Sequence, residues 1–311
     1  MHRDLTGSRS LHPTGYRSRE YAEAFRAHGT PIELERAGLW VLERQIAQTT
    51  ATDVMGLYPM MVCNEFTDLA VDLSELKMRA VSFVAVTDPF EATPFEDMGR
   101  IFDSCEPFKD HYLTDLSQPI ESFVASKRLN QAARAEESFE ISVEDAAVSD
   151  ETIAECWKLY DDTMARVGAT GIRRFDYDSF EAMMRVPGTV CFVARTTGGA
   201  IAMQIDYRDG DFVYAHLAAS DDEGRRLGAA AAINIRQIRH YQGDAGWIDS
   251  GSAPGNAADS THGLARFKRA FSNRIEPVYL CSTTFDPERY AQLSRGIDAD
   301  YFPAYRATEA D

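Results

Sequence analysis

Arg225-Arg226-Leu227-Gly228-Ala229-Ala230 sets two cations and a run of small residues between a strand candidate and a helix candidate. Small side chains at a helix start let backbone N–H groups approach a phosphate, and the helix dipole favours the anion. Arg225 or Arg226 would add a charge-assisted contact. The same pattern also suits close helix–sheet packing. Asp249 ends the run Trp247-Ile248-Asp249 and faces a loop rich in Gly, Pro, Asn and Ser. A carboxylate there serves either as general base towards an amine or as a cap on loop N–H groups, capping being the favoured role.

Beyond that loop lies Gly263-Leu264-Ala265-Arg266-Phe267-Lys268-Arg269-Ala270-Phe271. Phe267 and Phe271, four apart, read as core positions of a helix with Lys268 and Arg269 solvated. Tyr207, Tyr214 and His216 fall on hairpin strands, where residues of one parity would face an acceptor cleft. His216 titrates near neutrality when unperturbed, though a lone strand histidine also suits a satisfied core. Asp110-His111 and Asp115 carry the same two readings. Lys127, Arg128 and Arg134 share a helix, either as a solvated basic face or as contacts for a carboxylate or phosphate.

The elements that must position these groups follow from periodicity and turn residues. Strands are expected at Leu39–Gln45, Val54–Cys63, Val81–Val86, His111–Leu116 and Phe139–Val143. The strongest series is Thr189–Arg195, a Gly198-Gly199 turn, Ala200–Arg208, a second turn at 209–211, then Phe212–Ala218. Helices are expected at 21–28, 95–105, from Pro119 through Glu137, from Ser149 to about Val167, 177–185 and 228–241. A further strand, 247–249, precedes the Phe267–Phe271 segment. Residues 1–29 read as a mobile N-terminal lead-in. The pattern alone indicates mixed α/β structure with antiparallel pairing.

Composition narrows the classes. The chain has 311 residues, 44% hydrophobic and 26% charged, which fits a folded protein of one large or two ordinary domains. No apolar run approaches the roughly 20 residues that span a bilayer, and Met1-His2-Arg3-Asp4-Leu5 opens no apolar signal segment. The expectation is a cytoplasmic protein with no membrane partner. Thirty-two Lys and Arg against 49 Asp and Glu give a net charge of −17, which argues against DNA and broad nucleic-acid binding. Local basic clusters at 225–226, 236–240 and 266–269 still leave room for one phosphate site. Five scattered cysteines (Cys63, Cys105, Cys156, Cys191 and Cys281) read as reduced, buried thiols with no metal site. Nucleophile-elbow, P-loop, zinc-protease and dinucleotide motifs do not occur.

Residues 263–271 resemble the G-L-x-x-F-K-R-x-F signature of Fem-like transferases, a branch of the GNAT acyltransferase superfamily. The segments 107–116 and 127–135 resemble the same family in order and spacing, and the resemblance extends from about Gly56 to Phe302. It implies tandem GNAT-like domains with mixed, largely antiparallel sheets flanked by helices. The first would cover 30–145 on the acceptor side and the second 146–311 on the donor side. Arg225, Gly228 and Ala230 match the R/Q-x-x-G-x-G/A phosphate pattern of GNAT enzymes. The resemblance thus implies donor binding by Arg225, Arg226, Gly228, Ala229, Ala230 and Phe267 and a catalytic Lys268, while Asp249 and His216 are catalytic candidates by residue type and strand position. Lys127, Arg128, Arg134, Tyr207 and Tyr214 would bind the acceptor. The implied activity is amide formation, moving an aminoacyl group from aminoacyl-tRNA to the amine of a soluble small molecule or peptide. Acyl-CoA is the alternative donor, and a non-catalytic GNAT-like binding protein the alternative class. No permanently bound cofactor is expected, and tRNA is a partner only under the first reading.

Overall fold

The computed structural model describes residues 5–91, 93, 95–145, 147–253, 263–298 and 301–309. The strands are β1 (Thr30–Leu34), β2 (Leu39–Gln45), β3 (Thr52–Gly56), β4 (Ala80–Val86), β5 (Ser104–Asp115) and β6 (Glu140–Glu144). They continue with β7 (Thr189–Thr196), β8 (Gly199–Asp209), β9 (Phe212–Ser220), β10 (Trp247–Asp249) and β11 (Arg274–Thr284). The helices are α1 (Arg19–Glu23), α2 (Leu69–Leu76), α3 (Phe95–Met98), α4 (Ser126–Ala135) and α5 (Asp150–Val167). After them come α6 (Tyr177–Met184), α7 (Asp222–Leu227), α8 (Ala229–Tyr241), α9 (Gly263–Arg269) and α10 (Pro287–Leu293).

The fold is the expected mixed α/β one, with a largely antiparallel sheet flanked by helices. A single 11-stranded sheet runs through both halves in the order β1-β2-β3-β4-β11-β5-β10-β9-β8-β7-β6. Among the described strands only the pairs β3–β4 and β10–β9 are parallel. β11, from the end of the chain, inserts between β4 and β5. Hydrogen bonding therefore crosses the expected division at residue 145, and β5 of the first half lies beside β10 of the second.

Local chemistry explains several elements. Ser149 accepts a bond from the Thr152 N–H at the start of α5, Asp150 and Glu151 occupy its first turn, and Gly168 closes it in the left-handed region. Such an N-cap is worth about 1 kcal/mol. One sheet face packs against α5 and α6 through Ile153, Leu159, Tyr160, Phe180 and Met183. The opposite face carries α4 and α8 through Ala132, Ile233 and Ile238, joined there by Phe271.

Four expectations are corrected. Residues 95–105 are not one helix: α3 stops at Met98 and β5 begins at Ser104, because pairing with β11 outweighs local helical spacing. The strand expected at 54–63 ends at Gly56, before Pro59, whose missing N–H cannot join a ladder. Residues 5–29 are not a mobile lead-in. Tyr16, Arg17, Tyr21 and Phe25 are buried, and Gly15 lies so close to Tyr207 that an added Cβ would sit 2.7 Å from the Tyr207 Cβ. Finally, Cys105 and Cys281 stand opposite each other in the β5–β11 register and form a disulfide, while Cys63, Cys156 and Cys191 are free and buried. A sequence separation of 176 residues concealed a pair that only the insertion of β11 brings together.

Candidate functional site

β9 and β10 run parallel only from Phe212↔Trp247 to Tyr214↔Asp249. β10 then stops, since the chain turns at Gly251 with φ +70°, a conformation that favours glycine. β9 continues to Ser220 on β8 alone. Its other edge, from Ala215 onward, carries no strand among the described residues, and the sheet opens there. On the far side of β10, β5 extends past the same end. Leu113 pairs with Asp249, and beyond it the Ser250 N–H donates to Tyr112 O at 2.9 Å.

Asp249, 1% exposed, stands at the end of β10. Its Oδ1 accepts the Gly251 N–H at 2.7 Å, the loop-capping bond, while Oδ2 lies 2.8 Å from His111 Nδ1. Lys268 approaches from α9, half-buried, and its Nζ donates to Ser252 O at 2.6 Å. Burial pushes the Lys268 ammonium down to about 8, with Asp249 acting in the opposite direction and Lys109 in the same one. Phe267 and Phe271 are tilted with ring centres 5.0 Å apart, and they pack in the same cluster as Ala229. The start of α8 and the α9 segment thus lie on one side of the sheet.

Arg225 and Arg226 fall in α7 rather than in a loop, because Asp221 caps that helix by accepting the Gly224 N–H at 2.7 Å. Gly228, at φ +74°, ends α7 and begins α8 with no side-chain cap on the N–H groups that follow. Arg225 donates to Ser220 O at 2.5 Å and pairs with Asp222, and Arg226 pairs with Glu223 at 3.3 Å. These exposed pairs are weak, so an arriving anion would compete with them readily. Ala229 is buried and Ala230 half-buried.

Other expected site residues lie elsewhere. Tyr207 and Tyr214 are buried, donating to Met183 O at 3.1 Å and Asp88 Oδ2 at 2.9 Å. They face the core, since residues 5–29 cover the side that strand parity had left open. His216 shares that side, stacked on Tyr207 at 4.7 Å between centres, with Nδ1 3.0 Å from Tyr16 Oη. Burial pushes it down to about 3, so it does not suit the role of base near neutrality. Arg128 lies over the Phe271 ring at 5.1 Å, while Lys127 and Arg134 are exposed on α4. His111, open to two readings in the sequence, enters the site because β5 lies beside β10, a pairing with no sequence signal.

Comparison with known proteins agrees with this architecture. Residues 125–258 match the family described as Acetyltransferase (GNAT) domain. No curated protein matches the chain by sequence. Among solved structures, FemX is similar at 12% identity and TM-score 0.65, covering 91% of this chain and 95% of that one. L-PGS from Bacillus licheniformis gives 16% identity and TM-score 0.60, covering 88% and 94%. The C-terminal domain of a proposed lysylphosphatidylglycerol synthetase from Agrobacterium fabrum gives 13% identity and TM-score 0.63, covering 86% and 89%. The chain thus carries a GNAT acetyltransferase domain match at residues 125–258 inside a fold shared with FemX.

Proposed function

We propose that the protein forms an amide by moving an aminoacyl group, carried on tRNA, onto the amine of a small molecule or peptide. The observation that carries this reading is the approach of Lys268 to Asp249 at the end of the sheet where β9 and β10 part, with the start of α8 on the same side of the sheet. A donor in that opening would set a phosphate against the N–H groups after Gly228 and its carbonyl towards Lys268. The amine then attacks the ester directly, without a covalent enzyme intermediate, and positioning and oxyanion stabilisation lower the barrier. Held near 8 by burial, Lys268 stays mostly charged at pH 7 and can turn from Ser252 O towards the oxyanion.

Similarity of fold to FemX, and to proteins named for lysylphosphatidylglycerol synthesis, supports an aminoacyl donor. Acyl-CoA is the second reading, favoured by Arg225-x-x-Gly228-x-Ala230 and by the GNAT domain match. Either donor leaves no permanently held cofactor. The test incubates the protein with a radiolabelled aminoacyl-tRNA pool or with acetyl-CoA, plus a panel of small amines and peptides. Amide product from the tRNA pool supports the proposal, and product from acetyl-CoA alone replaces the donor. Product from neither, with no thermal shift on adding CoA or tRNA, removes the reading.

A further inference from the structure

We infer that His111 accepts the proton of the attacking amine and that Asp249 fixes its tautomer and aim. The inference deepens the acyl-transfer reading and rests on it. Asp249 is the more obvious base, yet it is 1% exposed and both of its oxygens are already engaged, Oδ1 by the Gly251 N–H and Oδ2 by His111. A carboxylate only accepts, so the contact at 2.8 Å places the imidazole proton on Nδ1. In the neutral imidazole Nε2 is then left with its lone pair, and no described residue hydrogen-bonds it. A base oriented by a buried carboxylate through its other nitrogen is the arrangement that proton abstraction requires.

Position supports the assignment. His111 lies two residues beyond the Leu113↔Asp249 pair, at the end of the sheet where β9 and β10 separate. Charged groups stand on each neighbouring element. Asp249 lies on β10, and Glu276 stands opposite on β11, itself taking a bond from Arg274 Nε at 2.7 Å. Lys109 is two residues back on β5, and Lys268 comes from α9. His216 also lies at this end, but its ring is packed on Tyr207 and its Nε2 is buried without a partner among the described residues.

The step balances without a redox partner. The amine nitrogen forms a bond to the donor's carbonyl carbon, and the C=O π pair moves onto oxygen. The N–H proton passes to His111 Nε2. Collapse restores the carbonyl, breaks the bond to the leaving oxygen (or sulfur, for a thioester), and the imidazolium returns the proton to that atom. The products are an amide and a free hydroxyl or thiol.

The experiment has two arms. The first measures transfer to hydroxylamine, corrected for the enzyme-free rate, from whichever of aminoacyl-tRNA or acetyl-CoA the wild type uses. His111→Asn keeps a donor to Asp249 but removes the base. It should lower kcat at least 100-fold, leave KM for the donor within threefold and abolish the rising limb of the pH–rate profile. Asp249→Asn should retain part of the rate and shift that limb. A His111→Asn enzyme with wild-type kcat and an unchanged limb overturns the inference. The second arm needs no substrate: long-range 1H–15N spectra of the labelled protein at pH 8 should show His111 protonated on Nδ1 only, and Asp249→Asn should perturb this. An Nε2–H tautomer in the wild type overturns the inference even if transfer is observed. Absence of transfer by the wild type counts against the acyl-transfer reading, and the spectra then decide the state of His111 by themselves.

Discussion

Arg17 grips Asp209 through two parallel bonds, Nε to Oδ2 at 2.8 Å and Nη2 to Oδ1 at 2.5 Å, across 192 residues of sequence. Both side chains are buried, and Arg9, Ser10 and Thr14 also bond the same carboxylate. The pair ties the N-terminal segment to the end of β8, over the face that holds Tyr207 and His216.

Arg17→Met should therefore be severe. It leaves Asp209 buried without its main partner, a loss of about 3–5 kcal/mol by urea unfolding at pH 7. Burial by itself would raise the Asp209 carboxyl, but Arg17 and Arg9 outweigh it and hold it below its ordinary value. A depressed carboxylate stabilises the fold above the unfolded-state value near 4 and loses that contribution as pH falls through the folded one. The gap between wild type and variant should thus close below about pH 4. An equal gap at pH 3 and pH 7 would contradict this account.

Lys268→Met should cut kcat about 10²–10³-fold, the usual cost of removing one oxyanion donor, without loss of stability at pH 7. The substitution removes a cation whose charged form burial disfavours. Because burial lowers this amine from 10.5 to about 8, wild-type kcat should decline as pH rises through 8. The variant should lack that limb. A large fall in Tm with the pH profile intact would assign Lys268 to structure alone.

Gly228→Ala forces a side chain into φ +74°, although nothing lies within 4 Å to clash with it. The strain is about 1–2 kcal/mol. Gly168, at φ +66° with equally open surroundings, supplies the control. Both variants should lose similar stability in thermal unfolding, but only Gly228→Ala should weaken the donor. Equal donor affinity in the two would detach this turn from binding.

Asp206 is fully buried and accepts bonds from Gln204 at 3.0 Å and Gln237 at 2.8 Å, yet burial pushes its carboxyl up to about 7. A raised acid means that the folded state binds the extra proton between about 4 and 7, so stability falls as pH rises through that window. Asp206→Asn removes the cost of ionisation. Its Tm relative to wild type should be more favourable at pH 8 than at pH 5. The reverse order would show that the carboxylate is stabilising in place.

Much of this molecule was written in the chain itself. The hairpins of β7, β8 and β9 follow from β-rich runs broken by Gly198-Gly199 and Asp209-Gly210-Asp211, and α5 follows from Ser149 and its acidic first turn. Those are local effects, set by residues a few positions apart. Small residues after Arg226 and the Phe267-Lys268 pair were likewise visible, as was the fold class. What the tertiary structure decided is pairing over long separations. Entry of β11 between β4 and β5 joined Cys105 to Cys281, and β5 beside β10 put His111 against Asp249. Docking of residues 5–29 closed the side where Tyr207, Tyr214 and His216 had been expected to meet a substrate. Periodicity records which residues prefer burial, but which strand becomes the neighbour depends on the free energy of the whole sheet, and no short stretch of sequence contains that.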